Sequence, residues 1–173
     1  MKPSDHPDFF RLPPPPGRSR ESTIRLDSEG RFWHDGRLVE HAGLRAGLHS
    51  WISRHPDDGR YILTNGYDWS YFTVEDAPYV VKSLEVGTDE VTLVLDDGTE
   101  EVWNPASTRV GAGEALYATI KRSAPGGPFE ARFSRHAQGS LGPLLVAGDD
   151  GQQPAVRIGG QVHSIGAKRG GFG

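Results

Sequence analysis

Residues 69–81 read W-S-Y-F-T-V-E-D-A-P-Y-V-V, the densest run of aromatic, β-branched and acidic side chains in the sequence. Such side chains suit a pleated, half-buried surface, so residues 71–75 are predicted to form a strand. Pro78 closes it, because proline offers no N–H to a ladder and pushes Ala77 out of the helical region. Alternation places Tyr71, Thr73 and Glu75 on one side and Phe72, Val74 and Asp76 on the other. The adjacent carboxylates therefore point apart, unlike a pair that converges on one substrate bond. Asp76 shares the apolar side and needs a partner there. Backbone N–H groups of the turn after Pro78 would satisfy it, with Glu75 facing water. A ligand contact is the second reading of Asp76, and a metal or catalytic role the third.

Composition narrows the classes. The chain has 173 residues, with 23 Gly and 13 Pro against 35% hydrophobic residues, a balance that favours turns and short strands over long helices. A formal charge of −4 without a basic stripe argues against nucleic acid as the main partner. Cysteine is absent from the sequence, which excludes disulfides and thiolate metal sites. The first twenty residues hold no apolar run of signal-peptide length, and no later stretch could span a bilayer as a helix. A cytoplasmic protein without a membrane partner is the expectation.

Working outward from residues 69–81, strands are predicted at 23–26, 31–34 and 37–40, with turns at 27–30 and at Asp35-Gly36. Leu44, Leu48, Trp51 and Ile52 stand at i, i+4, i+7 and i+8, which predicts an amphipathic helix over 42–54. Gly43 and Gly47 interrupt it, and Gly47 sits beside Trp51, where another backbone or a ligand could approach closely. A return strand follows at 61–64. The second half reads as the same plan: a hairpin over 91–95 and 99–103 about Asp97-Gly98, a helix over 112–122 with Leu116 and Ile120 inward, and an alternating strand over 129–134. Leu48 and Ile52 map onto Leu116 and Ile120, Gly59 onto Gly127 and Trp33 onto Trp103 at nearly one spacing, which predicts a duplicated unit. Further strands are expected at 144–146, 155–158 and 161–165, the last two joined at Gly159-Gly160.

Residues 32–37 (F-W-H-D-G-R), the helix with Leu44 and Leu48, Asp58-Gly59 and residues 74–79 (V-E-D-A-P-Y), in that order, resemble a bacterial domain-of-unknown-function family built from a duplicated α/β motif. The likeness covers about residues 23–165. It implies a C-terminal half superficially like a pleckstrin-homology fold. It also implies a groove between the halves holding a nucleotide-type ligand in a signalling role.

The chemistry-bearing motifs are sparse. Gly111-Ala112-Gly113 precedes a predicted helix, but Leu116 stands where a third glycine would be needed, and the surrounding βαβ unit of a dinucleotide site is missing. Free N–H groups at that helix entry, with Arg109 nearby, could still hold a phosphate. His34, His41, Glu75 and Asp76 lack a compact metal-ligand spacing, so no metal is expected. With no cysteine and no G-x-S-x-G elbow, no catalytic residue is assigned. Tryptophans are more often core than stacking platforms, though Trp33 and Trp69 flank the signature residues.

The sequence therefore predicts an α+β protein of two sequential related lobes, each a hairpin, a helix and return strands, the C-terminal one pleckstrin-homology-like. Residues 22–82 and 83–165 form the lobes, 1–21 a flexible proline-rich arm and 166–173 a flexible tail. The function expected is a non-catalytic, cofactor-free module sensing a nucleotide-type ligand. Its contacts would be Trp33, His34, Asp35, Arg37, Trp69, Tyr71, Glu75, Asp76, Tyr79, Arg109, Gly111 and Gly113. The competing reading is a protein-interaction scaffold using strand edges and the proline arm.

Overall fold

A computed structural model describes residues 1–148 and 154–166. The fold is α+β, rich in short strands and poor in helix, and divides into two compact units. One unit comprises Met1–Pro78 with Lys121–Pro128; the other comprises Tyr79–Ile120 and Phe129–Gly173. The division falls at Pro78 rather than after residue 82.

In the first unit the strands are β1 (Arg25–Leu26), β2 (Phe32–His34) and β3 (Arg37–Leu38), followed by helix α1 (Ala42–Ser50). Then come β4 (Ile52–Arg54), β5 (Tyr61–Thr64), β6 (Trp69–Tyr71) and β7 (Thr73–Val74). They form two sheets, in the orders β3-β2-β1-β7 and β4-β5-β6, antiparallel except for the parallel pair β1 and β7. The expected strand at 71–75 is thus two strands belonging to different sheets. The chain changes sheet at Phe72, whose buried ring lies 6.4 Å from that of Phe32 and 6.3 Å from that of Tyr61. Beyond this point Asp76 is exposed, not on an apolar face, because the strand has already ended at Val74.

Local chemistry explains the elements. Asp35 (φ 51°) and Gly36 (φ 75°) supply the two left-handed residues that match a tight turn to strand twist, joining β2 to β3. His41 caps α1, its Nδ1 accepting the Leu44 N–H at 3.1 Å. The helix ends at Ser50, four residues short of the expectation, because Ile52–Arg54 pairs with Tyr61–Leu63 instead. Leu48 is buried, while Leu44 at the start of the expected stripe is 46% exposed. Residues 1–12, expected as part of a flexible arm, carry two short 3-10 turns, and Phe9 is buried against Ile62 and Trp69. Lys121–Pro128 lies along β4: Arg54 Nη1 donates to the Gly126 and Pro128 carbonyls, and Ser53 Oγ donates to the Pro125 carbonyl at 3.3 Å.

The second unit contains β8 (Tyr79–Val86), β9 (Val91–Leu95), β10 (Glu100–Val102), β11 (Arg109–Val110), β12 (Leu116–Ile120) and β13 (Phe129–Phe133). These form one sheet in the order β10-β9-β8-β13-β12-β11, with β8 and β13 parallel. Helix α2 (Arg135–Ser140) follows, capped by Ser134, whose Oγ accepts the Ala137 N–H at 3.0 Å. Then β14 (Leu145–Ala147), β15 (Pro154–Ile158) and β16 (Gln161–Ser164) form a three-stranded sheet. The core carries Leu93, Leu95, Ile120, Phe129 and Ala131, all at most 2% exposed. Each large side chain so buried contributes about 1.5–3 kcal/mol.

The helix expected at 112–122 is absent. Residues Ala112–Glu114 make a single 3-10 turn, and Leu116–Ile120 is β12, paired with β13 from Tyr117↔Arg132 to Ile120↔Phe129. A spacing of four puts Leu116 and Ile120 on one face of a helix and equally on one face of a strand, so periodicity cannot separate the two. Pairing with the fully regular β13 decides it. The proposed duplication fails at the same point: Leu48 lies on a helix and its counterpart Leu116 on a strand, and the helix of the second unit follows β13 instead of preceding it. The tail expected at 166–173 lies outside the described residues apart from Gly166.

Candidate functional site

The first unit holds a small cavity of about 170 Å³, lined by Ile24, Leu48, Trp51, Leu63, Asn65, Asp68, Trp69 and Ser70. Each wall has a local origin. Trp51 is the residue on which α1 ends, its N–H donating to the Gly47 and Leu48 carbonyls, both at 3.1 Å. Its ring passes beside Gly47, where an added Cβ would lie in ordinary van der Waals contact, 3.5 Å from Trp51 Cζ2. Asn65 shapes the β5–β6 turn: its Oδ1 accepts the N–H groups of Tyr67 and Asp68, both at 2.9 Å. That turn delivers Asp68 and Trp69 to the cavity.

Asp68 is the charged group of the site. Its Oδ1 accepts Arg20 Nη1 at 2.6 Å and the Trp69 N–H at 2.9 Å, and its side chain remains 53% exposed. Burial acts to raise its pKa, but the Trp69 N–H and the Arg20 guanidinium outweigh it and hold the carboxyl below its ordinary value. The guanidinium of Arg20 also lies 4.4 Å over the Trp69 ring. Trp69 Nε1 is buried with no hydrogen-bond partner among the described residues.

The register of β4-β5-β6 assigns the two faces of this sheet. Leu63 and Ser70 are paired and face the cavity, whereas Ile62 is paired with Tyr71 and Thr64 with Trp69 on the opposite face. That opposite face carries an aromatic cluster. His55 lies 5.0 Å from Trp69 and 5.8 Å from Tyr71, and Phe10 stands 5.9 Å from His55. His55 Nδ1 accepts the Asp57 N–H at 3.1 Å, which leaves Nε2–H to donate to the Phe10 carbonyl at 2.9 Å. Tyr71 is fully engaged: its hydroxyl donates to Asp58 Oδ2 at 2.6 Å, and Arg60, itself bidentate to Glu21 at 2.9 and 3.0 Å, covers its ring at 3.7 Å. The hydrogen bond from Tyr71 holds the Asp58 carboxyl below its ordinary range, and burial followed by Asp58 raises the Tyr71 hydroxyl. These groups satisfy one another and leave neither an acid nor a base poised for a substrate.

The other expected contact residues are dispersed. Trp33 donates through Nε1 to Asp27 at 2.9 Å, and Arg25, which pairs with Glu75 at 2.5 Å, lies 5.1 Å over the Trp33 ring. Trp33 and Glu75 therefore meet through Arg25, a residue the motif reading passed over. His34, Asp35 and Arg37 sit at the β2–β3 turn, and Asp35 exchanges hydrogen bonds with Thr23. Tyr79, Arg109, Gly111 and Gly113 belong to the second unit. Arg109 is bidentate to Glu130 at 2.6 and 2.9 Å and lies 4.0 Å over Tyr117. The helix entry expected beside Arg109 is instead the strand Arg109–Val110 followed by a single 3-10 turn at Ala112–Glu114. Buried Tyr79 packs against Phe129 at 5.7 Å, and burial pushes its hydroxyl pKa up.

Of the expected residues, Trp69 alone lines the cavity. Trp51, Asn65, Asp68 and Ser70 were missed as contacts. Asn65-Gly66 between two strands was the available signal, since such a pair marks a tight turn that carries the next residues to one end of a sheet. Among the described residues there is no cluster of three His, Cys, Asp or Glu side chains able to hold a metal, and no helix long and apolar enough to cross a membrane.

Fold and site together define an α+β protein with a small two-tryptophan cavity. Two solved structures share its fold. One is a DUF1285 family protein from Silicibacter pomeroyi DSS-3, 17% identical, with a TM-score of 0.68, over 86% of this chain and 81% of that one. The other is a DUF1285 family protein from Shewanella baltica OS155, 16% identical, with a TM-score of 0.54, over 68% of this chain and 87% of that one. No protein-family profile and no curated protein matches the sequence.

Proposed function

We propose that this chain is a non-catalytic, cytoplasmic member of the DUF1285 group that senses a small nucleotide-type ligand in bacterial signalling. The observation that carries this reading is the cavity bounded by Trp51, Trp69 and Asp68. The Trp51 indole offers a flat apolar face to a planar ring, and a carboxylate beside Asn65 and Ser70 offers hydrogen-bonding groups that orient its edge. A volume of about 170 Å³ is below the roughly 300–1,000 Å³ that encloses a drug-sized molecule, so the ring enters and the remainder of the ligand stays outside. The six-stranded sheet with α2 beside it supports reading the C-terminal half as superficially pleckstrin-homology-like.

A thermal-shift panel of mononucleotides, dinucleotides and cyclic nucleotides tests the proposal. A ligand at 100 times its Kd adds about 2.7 kcal/mol to stability, and Trp51→Ala should abolish that gain. A flat response across the panel would favour the second reading, a protein-interaction scaffold. That reading draws on the β3 edge, where Arg37 and Leu38 are both exposed and available for strand addition.

A further inference from the structure

The segment before β1 is held on the first unit by unlike contacts. Phe9 is buried against Ile62 and Trp69. The Phe10 carbonyl accepts from His55, Arg11 is bidentate to Asp57 at 3.1 and 2.8 Å, and the Ser4 N–H donates to the Gly66 carbonyl at 3.0 Å. Residues 13–16 are four consecutive prolines, which give this segment no strand-like ladder of its own.

Arg20 joins that segment to the cavity. Its Nη2 donates to the carbonyls of Leu12 and Pro13, both at 3.2 Å, while its Nη1 donates to Asp68 Oδ1 at 2.6 Å and to the Trp69 carbonyl at 2.9 Å. One rigid guanidinium thus bridges the arm and a carboxylate of the cavity wall. Trp69 is the second shared part: it belongs to the cavity wall, while its ring lies on the other face of the sheet against Phe9 and, at 6.1 Å, Phe10. Arg20 Nε is buried with no hydrogen-bond partner among the described residues. A clamp that already leaves one buried donor unmet has little to spare when a charged partner is withdrawn.

We propose that Arg20 makes docking of residues 2–13 conditional on the Asp68 carboxylate, so that a ligand group drawing on Asp68 in the cavity releases the arm. This rests on the reading of the cavity as a ligand site. The competing group would be a donor-rich or cationic ring edge, the chemistry that replaces a guanidinium on a carboxylate. Release uncovers the face bearing His55, Ile62, Trp69 and Tyr71, converting occupancy into an exposed aromatic surface.

Hydrogen exchange on the full chain tests the coupling without any ligand. The reporters are the Phe9, Arg11 and Leu12 N–H groups, which donate to His6 and Asp8 carbonyls in the docked arm. Asp68→Asn and Arg20→Gln should each speed exchange at these positions about tenfold, the loss of one charge-assisted hydrogen bond, while Ile62 and Leu63 exchange as before. Ser70→Ala, on the same cavity wall, should leave the arm unchanged. Arm exchange at the native rate in Asp68→Asn would overturn the proposal, even if Arg20→Gln, which also loses its own bonds to the Leu12 and Pro13 carbonyls, is accelerated, as would an equal acceleration in Ser70→Ala. A flat nucleotide panel with accelerated arm exchange in Asp68→Asn would refute the choice of ligand and leave the coupling standing.

Discussion

The indole of Trp33 donates a 2.9 Å hydrogen bond to the buried carboxylate of Asp27, six residues earlier and just past the end of β1. The same carboxylate accepts the N–H groups of Glu29 and Arg31 at 3.0 and 2.9 Å and Arg31 Nε at 2.9 Å. A single aspartate thus closes the β1–β2 turn and holds the tryptophan over the sheet. Trp33, which flanks the signature residues, is thus held by its own hairpin.

Asp27→Ala should therefore cost about 2–3 kcal/mol, because it strands the Trp33 and Arg31 donors around a buried gap. Burial works to raise the Asp27 pKa, yet the Trp33 and Arg31 bonds outweigh it and leave it lowered. A lowered carboxylate stabilises above its unfolded value of about 3.9 and loses that contribution as pH falls through the folded value. Urea melts of wild type and Asp27→Ala should accordingly converge below about pH 4.

Asp96 has the opposite sign. Burial pushes its carboxyl up to about 7 despite the Val80 N–H bonded to it at 3.0 Å, and Asp97 adds to the rise. The folded state keeps this proton where the unfolded state has lost it, so the contribution is complete below about pH 3.9 and disappears as pH rises through 7. Asp96→Asn retains an acceptor for Val80 and should stabilise the protein at pH 8 by about 2–4 kcal/mol, with no gain at pH 4. Equal melting shifts at both pH values would contradict this.

Gly126 has φ 78° and lies on β4, where an added Cβ would sit 2.6 Å from the Arg54 backbone nitrogen. Neither the conformation nor the space suits a side chain. Gly126→Ala should cost about 2 kcal/mol or more and lift residues 121–128 off β4. Loss of protection at the amides of that loop, read by hydrogen exchange, is the expected signature.

Arg109 makes a partly exposed ion pair with Glu130, the two side chains being 49% and 38% exposed. Arg109→Ala should change stability by no more than about 1 kcal/mol. Titration with inorganic phosphate should leave the amide signals of residues 109–114 unmoved in wild type and variant alike. A saturable shift in wild type would instead place an anion site at these residues.

Local chemistry was legible wherever one residue type permits one backbone. Asp35-Gly36 and Asp97-Gly98 announced their turns, and residues 61–64 and 129–133 announced strands through β-branched and aromatic side chains, each appearing where expected. Burial of Phe129, Ala131 and Phe133 follows their alternation. The reading failed where spacing was ambiguous, at Leu116 and Ile120, and where a strand had to be assigned to a sheet, at Phe72.

The sequence by itself determined the turns, most strands and the helix start at Ala42. Those properties depend on side chains acting on their own stretch of backbone. Tertiary structure alone decided that Leu116–Ile120 is a strand, that residues 69–74 serve two sheets, and that Phe9 and Arg20 fasten the segment before β1. It also decided the cavity. Trp51, Asp68 and Trp69 meet only because a helix end and a β-turn are brought together by pairing between strands, and such pairing is a free-energy difference between whole arrangements that no local pattern encodes.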